Sequence, residues 1–343
     1  MRKIILAIAT LIVYFSAGCG GGSSGTSTPD AGLDETPTEQ TISEMEVSEI
    51  ETPEDTETTE AEFQEVPDNI DLTPANPLEG IGAVQTIGSG FSFLEGPAYR
   101  ADDNSLFFSD IPADTILRLD ADGSIAPFLE NQPTNGLLFD SQNRLVIATQ
   151  SGRTLSRQEE SGSVTVLIER FEGALLNAPN DVALHTNGDL YFTDPPFGLA
   201  PEASEVGCAG VYRFANDGSL SQFWCNGIDT RPNGIALSPN QDLLYVSFFL
   251  TGEIFTWAIA PDGSVGEMAQ FATTAGSADG MVVDADGNLF VTSSAGVEVF
   301  APDGTLWGII DVPEQPTNCT LGGPEGNTLF ITGRTELYSV ELQ

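Results

Sequence analysis

The sequence predicts an all-β fold, a six-bladed β-propeller over residues 83–343. A short phrase recurs six times, opening with a polar or acidic residue, followed in four copies by glycine, and continuing with apolar residues. The copies open at Glu95, Asn135, Asn180, Asn233, Asp279 and Asn318. Successive copies start 39 to 53 residues apart, which is the period of propeller blades. Further apolar strands and Asp-Gly hairpin turns follow most copies, and no amphipathic helix is expected.

The sixth repeat predicts how the ring closes. Only three strands fit between Asn318 and Gln343, whereas the other repeats have room for four. An additional apolar strand, Val84–Ile87, lies before the first repeat. Pairing of this strand with the last blade would complete that blade and remove the open edge of the ring.

The N-terminus predicts export. Arg2 and Lys3 precede an apolar run, Ile4–Phe15, that is too short for a permanent membrane span. The small residues before Cys19 resemble a bacterial lipobox, although Ser16 stands where that motif usually has leucine. We therefore expect residues 1–18 to be a lipoprotein signal peptide and Cys19 to carry lipid. The alternative is an ordinary signal peptide with an incidental cysteine.

Residues 19–82 predict a disordered stalk. Between Gly20 and Gly80 there are seventeen Asp and Glu and no Lys or Arg, with many Thr, Ser and Pro. Such a segment buries too little apolar surface to offset its ordering entropy. The alternative is an acidic binding tail. With a lipidated cysteine before the stalk, we expect the protein at a bacterial outer membrane or cell surface.

Charge excludes one class of partner. Residues 81–343 carry thirty-four acidic residues against nine arginines, and Lys3 is the only lysine in the sequence. A surface of that sign repels phosphate backbones, so we expect no nucleic-acid binding. It is compatible with a divalent cation.

Cys208 and Cys225 bracket a predicted hairpin. If its loop is the pair Asn216–Asp217, the two cysteines lie opposite each other on adjacent strands, at a separation that a disulfide spans. Export permits such a bond. The alternative is a pair of free thiols in an apolar layer.

The six phrase-opening residues predict a metal site. In a propeller they occupy equivalent positions at one mouth of the central channel, and all six side chains carry a carboxylate or amide oxygen. An oxygen-only site with two acids suits Ca²⁺, with Mg²⁺ or Mn²⁺ as alternatives, and does not suit zinc. The competing interpretation is that these side chains only bond nearby backbone groups.

Several longer motifs carry a family resemblance. They are Glu95-Gly96-Pro97, Pro179–Val182, Thr193–Leu199, Pro232–Ser238 and Asp279-Gly280-Met281. They resemble the gluconolactonase/regucalcin-like family, also called the senescence marker protein/gluconolactonase family, here as a bacterial lipoprotein member. The resemblance implies a calcium-dependent six-bladed propeller that hydrolyses a lactone.

The resemblance also implies site residues. Glu95, Asn180, Asn233 and Asp279 would be the metal ligands. Asp279 and Glu95 would be the catalytic acids, with Asp279 the general base. Asn135, Gln150 and Asn318 would contact the substrate.

Two departures from the family pattern concern the substrate. Ala148-Thr149-Gln150 stands where many bacterial gluconolactonases have Cys-Glu-His. Ala178-Pro179 stands where regucalcin-type enzymes have a sugar-binding arginine.

The sequence therefore predicts a monomeric, Ca²⁺-dependent hydrolase of a small lactone or related ester. The alternative is a non-catalytic surface propeller whose metal is structural and whose loops bind a partner. A serine-hydrolase triad is excluded, because the single histidine, His185, lies five residues from Asn180 and is expected at the surface, far from the ring.

We predict that the mature protein begins at a lipidated Cys19 and partitions with membranes. A lipid chain buried in the bilayer supplies the anchoring free energy. Mass spectrometry of the membrane fraction should give a diacyl- or triacyl-cysteine N-terminus, and Cys19→Ser should abolish it. An unmodified N-terminus in the soluble fraction would contradict the anchor.

Overall fold

The structure, a computed structural model, describes residues 75–343. The predicted signal peptide, Cys19 and most of the predicted stalk lie outside the described residues and remain predictions. In the described part of the chain, no helix is long and apolar enough to cross a membrane.

The strands form six four-stranded antiparallel sheets, the blades of a propeller. Strand β1 is Gln85–Ser89. Blade one contains β2 Leu94–Arg100, β3 Ser105–Asp110, β4 Thr115–Leu119 and β5 Ile125–Glu130. Blade two contains β6 Leu137–Phe139, β7 Leu145–Thr149, β8 Thr154–Gln158 and β9 Val164–Ile168. A small hairpin, formed by β10 Arg170–Phe171 and β11 Ala174–Leu175, leads to blade three. This hairpin was not predicted.

The other blades repeat this order. Blade three contains β12 Val182–Leu184, β13 Leu190–Asp194, β14 Ala209–Phe214 and β15 Leu220–Asn226. Blade four contains β16 Pro232–Leu237, β17 Leu243–Phe248, β18 Glu253–Ile259 and β19 Val265–Thr273. Blade five contains β20 Ala278–Val283, β21 Leu289–Ser293, β22 Gly296–Phe300 and β23 Leu306–Ile310. Blade six contains β24 Asn318–Gly322, β25 Thr328–Thr332, β26 Glu336–Glu341 and β1.

The helices of residues 75–343 are two short 3₁₀ turns, Ile111–Ala113 and Pro201–Ala203. The predicted all-β propeller is therefore confirmed.

Strand β1 pairs antiparallel with β26, with Gln85 opposite Ser339. It starts one residue later than the predicted strand and continues to Ser89. Folding also begins before residue 83, the predicted boundary, because Leu78 and Ile81 pack against the apolar cluster of blade six.

The first strands of the blades form the wall of the central channel. Each contacts the first strand of the next blade, and β24 contacts β2. The glycine of the repeated phrase explains this close approach. A Cβ atom on Gly96 would overlap the carbonyl oxygen of Asn135, and one on Gly234 would overlap that of Asp279. Glycine is required at these positions because backbone of the next blade occupies the space of a side chain.

Hydroxyl groups on the second strands form hydrogen bonds to the backbone of the next blade. The Thr193 Oγ1 donates to the carbonyl of Asn233 at 2.6 Å, and the Ser247 Oγ donates to that of Asp279 at 2.7 Å. Ser109 makes the corresponding bond to Asn135, at 2.6 Å. All three hydroxyl-bearing residues are fully buried. These bonds fix the backbone of the residues that open the phrase.

Cys208 and Cys225 form a disulfide with a Cα–Cα distance of 5.8 Å, and Cys319 is a buried free thiol. The expected strand register was wrong, because Cys225 lies opposite Gly210. The hairpin turn is longer than two residues: Gly218, at φ 87°, donates to the carbonyl of Ala215. That extra residue shifts the register by one position, and a bulge between Val211 and Tyr212 shifts it by another.

Candidate active site

A cavity of about 430 Å³ opens at one mouth of the channel. Its floor consists of five buried residues that open successive phrases, and we call this set the site floor. The site floor is Glu95, Asn135, Asn180, Asn233 and Asp279. Five of the six predicted ring residues thus meet in one place, together with Gln150.

The acids of the site floor carry strongly perturbed pKa values. Burial, and secondarily the nearby Asp181 carboxylate, raise the pKa of Glu95 from 4.5 to about 8, although its Oε2 accepts the Gly96 N–H at 3.0 Å. Burial and the charge of Glu95 raise the pKa of Asp279 well above its ordinary value. The Asn233 side chain acts in the opposite direction and lowers this pKa, but by less. The two carboxylates therefore destabilise each other's charged forms.

Asp181 is a third buried carboxylate near the site floor and was not among the predicted site residues. Burial raises its pKa from 3.8 to about 6. It lies one residue beyond Asn180 and lines a second cavity, of about 220 Å³, formed by residues further along the first strands. A signal was available, because Asp181 stands where four of the six phrases have glycine.

Asn318 was predicted to contact the substrate, and the structure places it elsewhere. Its Oδ1 accepts the Cys319 N–H at 2.8 Å, and its Nδ2 lies 3.5 Å from Asp181 Oδ2. It lines the cavity around Asp181 and not the one above the site floor. The Asn318 amide also lowers the pKa of Glu95, so it acts on two of the buried acids.

Asn135 of the site floor lies beside Gln150 in the lining of the cavity. The Asn135 Nδ2 donates to Gln150 Oε1 at 3.0 Å. The Asn135 Oδ1 is buried and has no hydrogen-bond partner among the described residues. This pair therefore offers a free acceptor on Asn135 to a molecule in the cavity.

Three buried carboxylates hold the segments that lead into the site floor. Asp110 accepts the N–H groups of Ser92 and Phe93, at 2.9 and 3.0 Å, just before Glu95. Asp194 accepts those of Asn177 and Ala178, both at 2.8 Å, just before Asn180. Glu298 accepts that of Ala275, at 2.9 Å, before Asp279. We call Asp110, Asp194 and Glu298 the loop-holding carboxylates.

His185 lies at the other end of β12 from Asn180, as expected, but it is buried rather than at the surface. Its Nδ1 accepts the Asn187 N–H at 3.2 Å, which folds the imidazole into the turn before β13. It does not line the cavity above the site floor.

The donor set of the site floor fits a divalent cation. Within residues 75–343, no Arg nitrogen lies within 4.0 Å of Glu95, Asp181 or Asp279. No group of three or more His, Cys, Asp and Glu arranged to hold a metal occurs there either. The site floor has two acids, and its remaining oxygens come from neutral amides. Such a set is compatible with a hard cation that keeps water or substrate among its ligands.

Comparison with known proteins identifies the family. Residues 93–335 match the SMP-30/Gluconolactonase/LRE-like region. The chain belongs to this family. It is 31% identical over 288 residues to a gluconolactonase of Zymomonas mobilis, a match that covers 75% of this chain and 80% of the relative.

Solved structures agree with this assignment. A gluconolactonase of Xanthomonas campestris superposes with a TM-score of 0.71 and 35% identity, over 76% of this chain and 89% of the other. A calcium-binding protein of Agrobacterium tumefaciens, regucalcin, superposes with a TM-score of 0.65 and 18% identity, over 76% and 95% of the two chains. The second likeness concerns the fold alone.

We predict that the stability of the metal-free protein falls as pH rises from 5 to 8. Glu95, Asp181 and Asp194 have folded-state pKa values of about 8, 6 and 7, against ordinary values of 4.5, 3.8 and 3.8. The folded state therefore holds protons that the unfolded state has lost, at about 1.4 kcal/mol per proton and pH unit. Carboxylates whose pKa values are lowered in the folded state change the folding stability only at pH values below 5.

Thermal unfolding in chelator at four pH values tests this prediction. Saturating Ca²⁺ should stabilise the protein more at pH 8 than at pH 5, because a bound cation replaces those protons. A metal-free protein whose unfolding temperature is constant or rises over this range would contradict it.

We predict that Asp194→Asn weakens cation binding roughly 10–100-fold, the range typical of groups that orient metal ligands. In the variant, one of the two side-chain oxygens that accept the N–H groups of Asn177 and Ala178 is replaced by an NH2 group. Asp284→Asn is the matched control, since Asp284 also accepts two N–H groups, of Asp286 and Asn288, in a turn away from the cavity. Calorimetric Ca²⁺ titration checks this. Equal affinities in both variants would show that Asp194 does not position the site.

Proposed function

We propose that this protein is a lactonase, a hydrolase of a lactone or related carboxylic ester that depends on a divalent cation, with Ca²⁺ preferred. The observation that carries the proposal is the convergence of Glu95, Asn180, Asn233 and Asp279 on the floor of one cavity in a member of a lactonase family. The Zymomonas and Xanthomonas relatives are both gluconolactonases.

The choice of Ca²⁺ rests on the donor atoms. Glu95 and Asp279 supply two charges, and Asn180 and Asn233 supply neutral oxygens, which suits a cation that accepts six to eight oxygen ligands in loose geometry. The regucalcin of similar fold is a calcium-binding protein. Mg²⁺ and Mn²⁺ are the alternatives. When bound, the cation would act as a Lewis acid on the substrate carbonyl.

The chain's own residues would then activate water and carry protons. We assign Asp279 as the general base, which takes a proton from the attacking water, and Glu95 as the second catalytic acid. The water oxygen bonds to the carbonyl carbon, the acyl C–O bond breaks, and the released alkoxide takes a proton, giving a hydroxy acid. The low-dielectric environment of the site floor raises the pKa values of Glu95 and Asp279. A nearby positive charge would lower both pKa values and favour the ionised carboxylates.

Asn135 and Gln150 would orient the substrate. The free Asn135 Oδ1 is an acceptor for a substrate hydroxyl or a bound water. Gln150, fixed by its bond to Asn135, presents its Nε2 donor beside it. Asn318 would act on the acids beneath, through Asp181 and Glu95, rather than on the substrate.

We propose that the enzyme works outside the cytoplasm, anchored through Cys19 and acting as a monomer on small molecules. The support is the N-terminal pattern of Arg2 and Lys3, the apolar run and the lipobox-like end. The acidic chain and the disulfide are both compatible with export.

We predict that Asp279→Asn lowers kcat for lactone hydrolysis by roughly 10²–10⁴-fold, the usual contribution of a general base, and changes Ca²⁺ affinity less. Asn233→Ala should weaken Ca²⁺ binding and lower activity together. Asp286→Asn and Asn240→Ala, exposed turn residues of the same blades, are the matched controls. The measurement is hydrolysis of a lactone panel with Ca²⁺ and after exhaustive chelation.

Three outcomes separate the alternatives. Full activity of Asp279→Asn would refute the base assignment. Activity that survives chelation would refute the metal mechanism. Tight Ca²⁺ binding without turnover of any lactone would favour a non-catalytic surface propeller, in which the cation is structural.

A further inference from the structure

The walls of the cavity differ in character from its floor. Above the site floor, the lining side chains are mainly apolar and come from the loops of three blades. They are Phe93, Ile111, Pro112, Phe197 and Phe249. The short 3₁₀ turn Ile111–Ala113 supplies two of them. We call these five residues the apolar wall.

Packing contacts and backbone hydrogen bonds hold the residues of the apolar wall in place. Phe197 and Phe249 pack edge to face, with ring centroids 5.7 Å apart. The Arg231 guanidinium lies 5.3 Å from the Phe197 ring centroid, and the Arg231 carbonyl accepts the Phe249 N–H at 3.1 Å. On the facing side, the Ile111 N–H donates to the Phe93 carbonyl at 3.0 Å. These contacts preorganise an apolar surface in the binding cavity.

Few polar groups remain for a substrate beyond the metal-binding floor. Asn135 Nδ2 donates to Gln150 Oε1, which leaves the Asn135 Oδ1 acceptor, the Gln150 Nε2 group and the Ser92 hydroxyl for a substrate. Among residues 75–343, the only charged side chains that line the cavity are Glu95 and Asp279. A sugar lactone carries several hydroxyl groups, and each one buried without a partner weakens binding.

We propose that the substrates of this site are lactones or esters with an apolar substituent, an alkyl chain or an aromatic ring, rather than polyhydroxylated sugar lactones. This inference rests on the proposed function, because it names the substrate class of the same site. The lactone carbonyl would face the site floor and the substituent would lie on the apolar wall. Transfer of that substituent from water to the apolar wall favours binding.

The test compares substrates matched in ring size. In saturating Ca²⁺, kcat/KM is measured for δ-valerolactone, for δ-decalactone with its alkyl chain, for the aromatic dihydrocoumarin and for glucono-δ-lactone. We expect the alkyl and aromatic lactones to exceed glucono-δ-lactone by roughly 10–100-fold, the discrimination typical of an apolar pocket. Equal or better turnover of glucono-δ-lactone would overturn the inference and leave the proposed function intact.

Variants of the apolar wall provide a second measurement. Phe197→Ala and Phe249→Ala should each lower the ratio of δ-decalactone to δ-valerolactone kcat/KM roughly tenfold, because both lose contact with the alkyl chain. Met268→Ala is the control, since Met268 is exposed on the outer strand β19 and does not line the cavity. Unchanged ratios in both Phe variants would overturn the inference.

A binding measurement separates this inference from the proposed function. The alkyl-substituted δ-lactam and the polyhydroxylated δ-lactam are not readily hydrolysed, so calorimetry reports their affinities even if no lactone turns over. Preference for the alkyl lactam, lost in Phe197→Ala, supports the apolar site although the hydrolase assignment would then fail. Preference for the polyhydroxylated lactam, or binding of neither, overturns the inference.

Discussion

The structure depends on the placement of three carboxylates at the centre of the ring. Glu95, Asp181 and Asp279 are all buried, and burial raises the pKa of each. The charge of Asp181 further raises the pKa of Glu95, and the charges of Glu95 and Asp181 further raise that of Asp279. No arginine of residues 75–343 pairs with them. A fold that keeps such a cluster must neutralise it with protons or with a cation. The neutral amides around the cluster provide oxygen ligands for the second solution.

The scaffold holds these groups by means outside the site itself. Second-strand hydroxyls of one blade bond the backbone of the next, as Thr193 does to Asn233 and Ser247 does to Asp279. The loop-holding carboxylates fix the chain just before three of the site residues. The first set determines how closely adjacent blades approach, and the second determines where each first strand begins. Positions of the site floor are therefore set by the whole ring.

The sequence predicted the propeller and most of the site floor because both follow from one repeat. Equivalent positions in six repeats must meet at one mouth of the channel, so Glu95, Asn135, Asn180, Asn233 and Asp279 could be selected together. Asn318 obeys the same register, yet its amide turns to Asp181, which occupies the position usually held by glycine. That choice depends on the charge of a residue in blade three, across the channel from blade six, and a repeat pattern does not contain it.

Other features depended on loop geometry. The pairing of the disulfide cysteines was anticipated, but their register was not, because the turn around Gly218 has an additional residue and the strand pairing contains a bulge beside Val211. The apolar wall was missed for a related reason. Its members belong to loops with no repeating spacing, and only the fold brings Phe93, Phe197 and Phe249 to one cavity. The hydroxyls were detectable, since Ser or Thr directly follows the apolar triplet of the second strand in five blades.

The proposed chemistry depends on one cation held by Glu95, Asn180, Asn233 and Asp279, and the position of that cation can be observed directly. Crystals grown with Ca²⁺ and exchanged with a lanthanide would give an anomalous difference map. The account predicts a peak within about 2.3–2.6 Å of one side-chain oxygen from each of these four residues, the distance range of calcium ligands. A map without a peak at the site floor, or with its only peak beside Asp181 and Asn318, would contradict it.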